Sequence, residues 1–226
     1  MKLFLFDIDG TILRVHNVGR HALEDALAEV LGRPLPTAGI SFSGKTDPQI
    51  LREVLEHHAL GHLARDGVFT RILDVYQERM RAALTPDRFL LLPGVRALID
   101  ALAGRPDVCL GLVTGNLEPL AYVKLGAVGL DAHFPFGAFG SDHADRRRLP
   151  PLAVERARRH TGRTFAGKDI VIIGDTEHDI DCGRGVGAFS VAVCTGRFSR
   201  EHLAPHGPDL LLDDLSDPAP LLELLR

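Results

Sequence analysis

Three features that would redirect the reading are scarce or missing. Cysteine occurs only at Cys109, Cys182 and Cys194 in 226 residues. An odd number without metal-type spacing gives neither a disulfide framework nor a zinc knuckle, so the three read as free thiols in a reducing cytoplasm. No apolar run approaches the length of a membrane span, and Met1 to Phe6 meets Asp7 too soon to act as a signal peptide. Basic residues do not dominate: 26 Lys and Arg face 30 Asp and Glu, a net charge of −4, and the longest basic run is Arg146-Arg147-Arg148. Neither a membrane nor a nucleic acid is therefore an expected partner. Internal repeats and low-complexity tracts are also absent.

What the chain does have is apolar material for a real core, 45% by composition, in a length that fits one large or two modest domains. Its organising stretch is Lys2-Leu3-Phe4-Leu5-Phe6-Asp7-Ile8-Asp9-Gly10-Thr11. The apolar run reads as a buried strand that ends in a turn. Residues two apart on a strand face the same side, so Asp7 and Asp9 can share one crevice. Like charges this close resist joint ionisation unless a cation joins them. A hard cation with oxygen ligands, Mg²⁺ most simply, resolves the conflict. The bland alternative is a solvated turn after an edge strand.

Beyond Thr11 the spacing turns helical. Val18, Ala22, Leu23, Ala26, Leu27, Val30 and Leu31 recur at three and four, and Gly32 and Pro34 end that helix. Asp47 can cap a second helix with Pro48 in its first turn, and a third runs from about Arg65 to Leu84. From about Arg14 to Phe89 no strand is expected, which marks an inserted helical module. Helix and strand then alternate, with strands at Val108–Val113, Phe134–Phe139, Ile170–Ile173, Ala188–Val193 and Leu210–Leu212. That alternation implies a doubly wound, Rossmann-like parallel sheet of the α/β class. The expected division is an α/β core of residues 1–14 and 90–226 with an all-helical cap over 15–89.

Three of these strands end in polar residues: Asp7 and Asp9, then Thr114, then Asp175 with Asp179. In a parallel sheet their carboxyl ends open on one edge, where ligands bind. Four carboxylates and a hydroxyl around one crevice need Mg²⁺ and a basic side chain before an anion can approach. Arg146, Arg147 and Arg148, just before the helix at Pro150, offer the base.

Asp7-Ile8-Asp9-Gly10-Thr11, Val113-Thr114-Gly115-Asn116 and Gly174-Asp175-Thr176-Glu177-His178-Asp179 resemble motifs I, II and IV of the haloacid dehalogenase superfamily. The subgroup resembled is the phosphoglycolate phosphatase-like enzymes, and the resemblance covers essentially the whole chain. It implies a phosphatase in which Asp7 is the nucleophile, carrying the phosphoryl group as an aspartyl-phosphate. Asp9 is implied as general acid and then base. Thr114, with backbone amides near Gly115 and Asn116, is implied to bind the transferring group. Asp7, the Asp9 carbonyl, Asp175 and the supporting Asp179 are implied as the Mg²⁺ site. The superfamily's metal-free dehalogenases differ at the second aspartate, so Asp9 argues for phosphoryl chemistry. Motif III departs from the pattern: the usual Lys followed by Pro is replaced by Asp145-Arg146-Arg147-Arg148-Leu149-Pro150-Pro151. Arg146 is the favoured cation and Arg148 the runner-up, with the planar geometry of arginine in place of the lysine ammonium.

Gly39-Ile40-Ser41-Phe42-Ser43-Gly44-Lys45-Thr46 matches the phosphate-loop pattern letter for letter, so a nucleotide-binding protein is a distant alternative. Two prolines at positions 34 and 36 speak against the strand that must precede such a loop. The better reading is a cap loop in which Lys45 meets an anionic part of the leaving group. His57, His58 and His62 lack the third ligand of a zinc site, His178 receives no role, and Cys182 reads as packing. The expected function is hydrolysis of a small phosphorylated metabolite, by a cytoplasmic monomer or homodimer. A β-phosphoglucomutase-like phosphomutase is the runner-up.

Overall fold

The computed structural model describes residues 1–15, 18–65 and 67–225. In chain order the elements are β1 (Lys2–Phe6), β2 (Leu13–Val15), α1 (Val18–Leu31), α2 (Asp47–His57), α3 (Gly67–Ala83), β3 (Phe89–Leu91), α4 (Val95–Ala103) and β4 (Val108–Val113). There follow α5 (Glu118–Ala127), β5 (Gly137–Ala138), α6 (Leu149–Thr161), β6 (Ile170–Gly174), α7 (Glu177–Cys182), β7 (Phe189–Val193), α8 (Arg200–Leu203), β8 (Leu210–Leu212) and α9 (Ala219–Glu223).

Six strands form one parallel sheet in the order β5-β4-β1-β6-β7-β8. The strand pattern sorts its side chains. Phe4 and Phe6 point to the face covered by Leu98, Ile99 and Leu102 of α4 and by Ala121 and Leu125 of α5. Leu3 and Leu5 point to the opposite face, under Leu149, Ala153 and Ala157 of α6. A sheet buried on both faces needs near-continuous apolar strands, and β1, β4 and β6 supply them. The α/β class and the parallel, doubly wound sheet are as the sequence implies.

α1, α2 and α3 pack around a separate apolar cluster that includes Leu23, Leu27, Leu51, Leu55, Ile72 and Tyr76. That cluster reaches across to Leu117 and Leu120 at the start of α5. The expected absence of strands between Arg14 and Phe89 is corrected at its two ends. β2 and β3 pair antiparallel, Leu13 with Leu91 and Val15 with Phe89, where the chain leaves and re-enters the sheet layer. Three-residue strands are too short to display an alternation, which is why the pattern hid them. Of the third helix expected from about Arg65, Asp66 lies outside the described residues, and α3 begins at Gly67. The strand expected over Phe134–Phe139 contracts to Gly137 and Ala138: a 3₁₀ turn over Asp131–His133 ends at Phe134, and the Phe139 amide is taken by the Asp142 carboxylate instead of the ladder.

A second correction concerns the start of α2. Its N-cap is Thr46, whose hydroxyl accepts from the Gln49 amide at 3.2 Å, not Asp47. Thr46 can cap because its backbone is extended there, as a cap requires. Asp47 is thereby released to bind the core: its amide donates to the Gly115 carbonyl at 2.8 Å, and its carboxylate accepts from the Leu117 amide at 2.9 Å. Thr46 donates in turn to the Ala144 carbonyl at 2.7 Å. The loop before α2 is thus stitched to the ends of β4 and β5. Gly115 makes the approach possible, since a Cβ there would overlap the Lys45 carbonyl oxygen and touch the Thr46 backbone.

Gly115→Ala should therefore force these backbones apart and lower stability by about 1–3 kcal/mol. The check is thermal unfolding beside Gly104→Ala, where the added methyl meets only ordinary contact. Equal melting temperatures for the two variants would refute the close docking.

Candidate active site

The carboxyl ends of β1, β4 and β6 converge on one pocket of about 570 Å³. Gly10 lets the chain turn there with φ +85°, and a Cβ at this position would run into the Asp175 carboxylate. Gly196 closes on the same carboxylate from the other side. Asp7, Asp175 and Asp179 are buried, and each offers a carboxylate oxygen within 4.8 Å of the others. Burial pushes the Asp7 carboxyl up to about 6; Arg146 opposes the rise and Asp179 and Asp9 add to it. Asp175 is held well above the usual carboxylate range by burial and then by Asp179 and Asp7. Three hard oxygen donors that repel one another form a donor set suited to a divalent ion such as Mg²⁺.

Arg146 is the buried cation beside them. Its Nη2 lies 2.5 Å from Asp179 Oδ1 and 3.1 Å from Asp7 Oδ1. Burial disfavours its charge, but Asp179 and Asp7 outweigh that and hold the guanidinium firmly protonated. The other Asp179 oxygen accepts from the Thr176 hydroxyl at 2.7 Å and the Thr176 amide at 3.0 Å, which closes a capping box at the start of α7. Asp179 therefore orients Arg146 and the motif around Asp175 together.

Thr114 lies at the end of β4. Its hydroxyl oxygen accepts from Asn116 Nδ2 at 2.8 Å. A hydroxyl that accepts in this way still has one proton it can donate. Asn116 Nδ2 also donates to Asp9 Oδ2 at 2.8 Å. The cap side of the pocket is walled by Phe42, Ile50, Tyr76 and Met80.

A site of this composition at the end of a parallel sheet has relatives. The profile of the haloacid dehalogenase-like hydrolases matches residues 1–187. The chain belongs to that family. A pyrophosphatase PpaX of Listeria innocua is 26% identical over 224 residues, 98% of this chain and 95% of the relative. A phosphoglycolate phosphatase of Synechococcus elongatus is 30% identical over 127 residues, 56% of this chain and 57% of the relative. Among solved structures, a predicted phosphoglycolate phosphatase from Haemophilus somnus aligns with TM-score 0.73 at 21% identity, covering 100% of this chain and 98% of that one. A β-phosphoglucomutase from Clostridium difficile aligns with TM-score 0.71 at 17% identity, covering 99% and 96%.

Within this haloacid dehalogenase-like hydrolase, Asp7, Asp9, Thr114, Gly115, Asn116, Lys45, Arg146 and Asp175 all line the pocket, with Asp179 directly behind Arg146. Of the three consecutive arginines only Arg146 is buried at the acids; Arg147 is exposed on Asp145 and Arg148 is exposed. The Asp9 carboxylate is held by Lys124 and Asn116 and is not one of the acid trio. Lys45 does not stand free. Its ammonium pairs with Glu53 of α2, so its charge is offset within the cap. The phosphate-loop match fails on its context: residues 39–46 follow α1 and an irregular stretch, with no strand between α1 and the loop.

Three site residues escape motif reading. Lys124 lies on the apolar stripe of α5 with Leu117, Leu120 and Ala121, and a lysine on a buried stripe was its sequence signal. Its ammonium meets Asp9 at 2.6 Å and Asn116 Oδ1 at 2.6 Å. Asp47 and Tyr76, from α2 and α3, join at 3.2 Å and line the cap side. Burial beneath the cap pushes the Asp47 carboxyl up to about 6, with Lys124 pulling the other way.

The sign of the resulting pH effect follows. From the ordinary value of 3.8 up to about 6, unfolded Asp47 sheds its proton while folded Asp47 keeps it. The folded state then binds more protons, and this group lowers stability as pH rises through that window. The melting temperature of Asp47→Asn minus that of the native protein should rise between pH 4 and 6 and level off above. A flat or falling difference would contradict the burial of this carboxyl.

Proposed function

We propose that this hydrolase is a Mg²⁺-dependent phosphatase that cleaves a small phosphorylated metabolite through an aspartyl-phosphate on Asp7. What supports the reading above all is the grouping of Asp7, Asp175 and Asp179 within 4.8 Å beside the buried Arg146. The relatives named for pyrophosphate and phosphoglycolate chemistry point to the same reaction class. Residues 15–89 are read as a lid that excludes water and selects the leaving group.

In the first step Asp7 attacks phosphorus, and the bond from phosphorus to the leaving oxygen breaks. That oxygen takes the electron pair together with a proton from Asp9. Water then attacks the aspartyl-phosphate while Asp9 receives its proton, releasing inorganic phosphate and restoring Asp7. Thr114 donates its free hydroxyl proton to a phosphoryl oxygen, helped by the amides near Gly115 and Asn116. Arg146 keeps Asp7 oriented and offsets its charge as the anionic group approaches. Mg²⁺, held by Asp7, Asp175 and the Asp9 carbonyl with Asp179 in support, would neutralise phosphoryl charge and allow two anions to meet.

The nearly isosteric Asp7→Asn should keep its fold and lose at least about a thousandfold in phosphate release, as expected for a removed nucleophile. Comparable turnover by the variant would refute the assignment. A phosphomutase reading separates on a hexose phosphate: the phosphatase liberates inorganic phosphate, whereas a mutase moves the group to another hydroxyl. EDTA should stop turnover and Mg²⁺ restore it. Independently of activity, Mg²⁺ should raise the melting temperature of the native protein and not that of Asp175→Asn.

A further inference from the structure

We propose that Lys124 is a positioning residue that, with Asn116, fixes the Asp9 carboxylate so that Oδ1 alone handles the proton of the leaving group. The inference rests on the phosphatase reading and adds to it a residue outside all four motifs.

Lys124 is a lysine on the buried face of a helix, its side chain only 6% exposed, while the Asp9 side chain remains 44% exposed to the pocket. A buried ammonium persists only where its hydrogen bonds are met. Here they are: Nζ donates to Asp9 Oδ2 at 2.6 Å, Asp9 Oδ1 at 2.8 Å and Asn116 Oδ1 at 2.6 Å. Asn116 returns a bond from Nδ2 to Asp9 Oδ2 at 2.8 Å. The three groups form a closed triangle.

Lone pairs decide the consequence. A carboxylate oxygen accepts about two hydrogen bonds. Asp9 Oδ2 already takes Lys124 and Asn116, so it is full. Oδ1 takes Lys124 only and keeps one position open. Proton delivery to the departing oxygen, as its bond to phosphorus breaks, and proton recovery from the attacking water therefore both pass through Oδ1. Lys124 touches neither phosphorus nor the leaving group in this scheme. It acts through Asp9.

A residue acting through a proton donor has a signature that a merely structural residue lacks. Leaving groups that depart unaided need no donor, whereas alkoxides do. kcat/KM reports the step that forms the aspartyl-phosphate, so it is compared for an alkyl phosphate, glycerol phosphate, and for 4-nitrophenyl phosphate. Lys124→Met should lower kcat/KM roughly 10–100-fold on the alkyl ester and much less on the nitrophenyl ester. In an Asp9→Asn background the same change should add little further loss, because its target is gone. Asn116→Ala, which removes the second clamp donor, should show the same leaving-group bias and serves where Lys124→Met does not fold. Equal losses on both esters, or a full multiplicative loss on top of Asp9→Asn, would overturn the inference. Loss of the phosphatase reading itself is told apart by Asp7→Asn: if that variant retains turnover on both esters, the reading beneath the proposal fails as well.

Discussion

Mutual repulsion among buried carboxylates is the constraint to which the site's other features answer. Asp7 and Asp175 stand at the ends of neighbouring strands because a parallel sheet points every carboxyl end the same way, and Asp179 joins them from the first turn of α7. Their burial raises the protonation of Asp7 and Asp175. In a solvated turn the same acids would cost little, and the sheet end would have no reason to recruit a buried arginine. Here Arg146 is drawn under the cluster by two carboxylates at once, and its Nη1 also reaches the Gly44 carbonyl at 3.3 Å. The cation that tempers the acids is thus one of the ties between the helical layer and the sheet.

That tie is one of several, and together they shape the cap side of the pocket. Thr46, Asp47 and Gly115 bring the α2 start against the β4 end through backbone contacts that tolerate no side chain at Gly115. The wall they complete carries Phe42, Ile50, Tyr76 and Met80. Its lysine, Lys45, is neutralised by Glu53, and the half-buried Asp47 adds a carboxylate. The distribution of charge is therefore asymmetric. The charged groups gather at the sheet end of the pocket, while the cap end is mostly apolar.

How far the sequence discloses this differs by the range of the signal. β1, β4 and β6 are legible because continuous apolar runs ending in Asp or Thr have few other interpretations in an alternating chain. Asp7, Asp9, Thr114 and Asp175 come with them, since a strand end fixes where its last residues lie. Arg146 is separable from Arg147 and Arg148 only by burial, which depends on the helical phase at the α6 entry that sequence leaves within a turn. The β2–β3 pair escapes because its pairing joins residues some 75 apart and each partner is three residues long. Asp47 is misassigned locally because capping propensity cannot tell Thr46 from Asp47 when one of them has a better partner in the core. Lys124 is the instructive case: its helix is read correctly, but the same periodicity that makes the stripe apolar disguises a charge within it.

Among the described residues two buried cations, Arg146 and Lys124, divide the acids between them. Arg146 serves Asp7 and Asp179, and Lys124 serves Asp9. With all four carboxylates ionised, Asp7, Asp9, Asp175 and Asp179 carry −4 against +2, leaving −2, the charge that one divalent ion balances. The division also explains why one basic residue does not suffice. One guanidinium nitrogen, Arg146 Nη2, already serves both Asp7 and Asp179, while the half-exposed Asp9 carboxylate is met by Lys124. Two carboxylates two residues apart would compete for a shared cation, and whichever lost would be left without a partner. Giving each its own partner, from helices on opposite faces of the sheet (α5 for Lys124, the turn before α6 for Arg146), lets both be held at once without either being drawn toward the other.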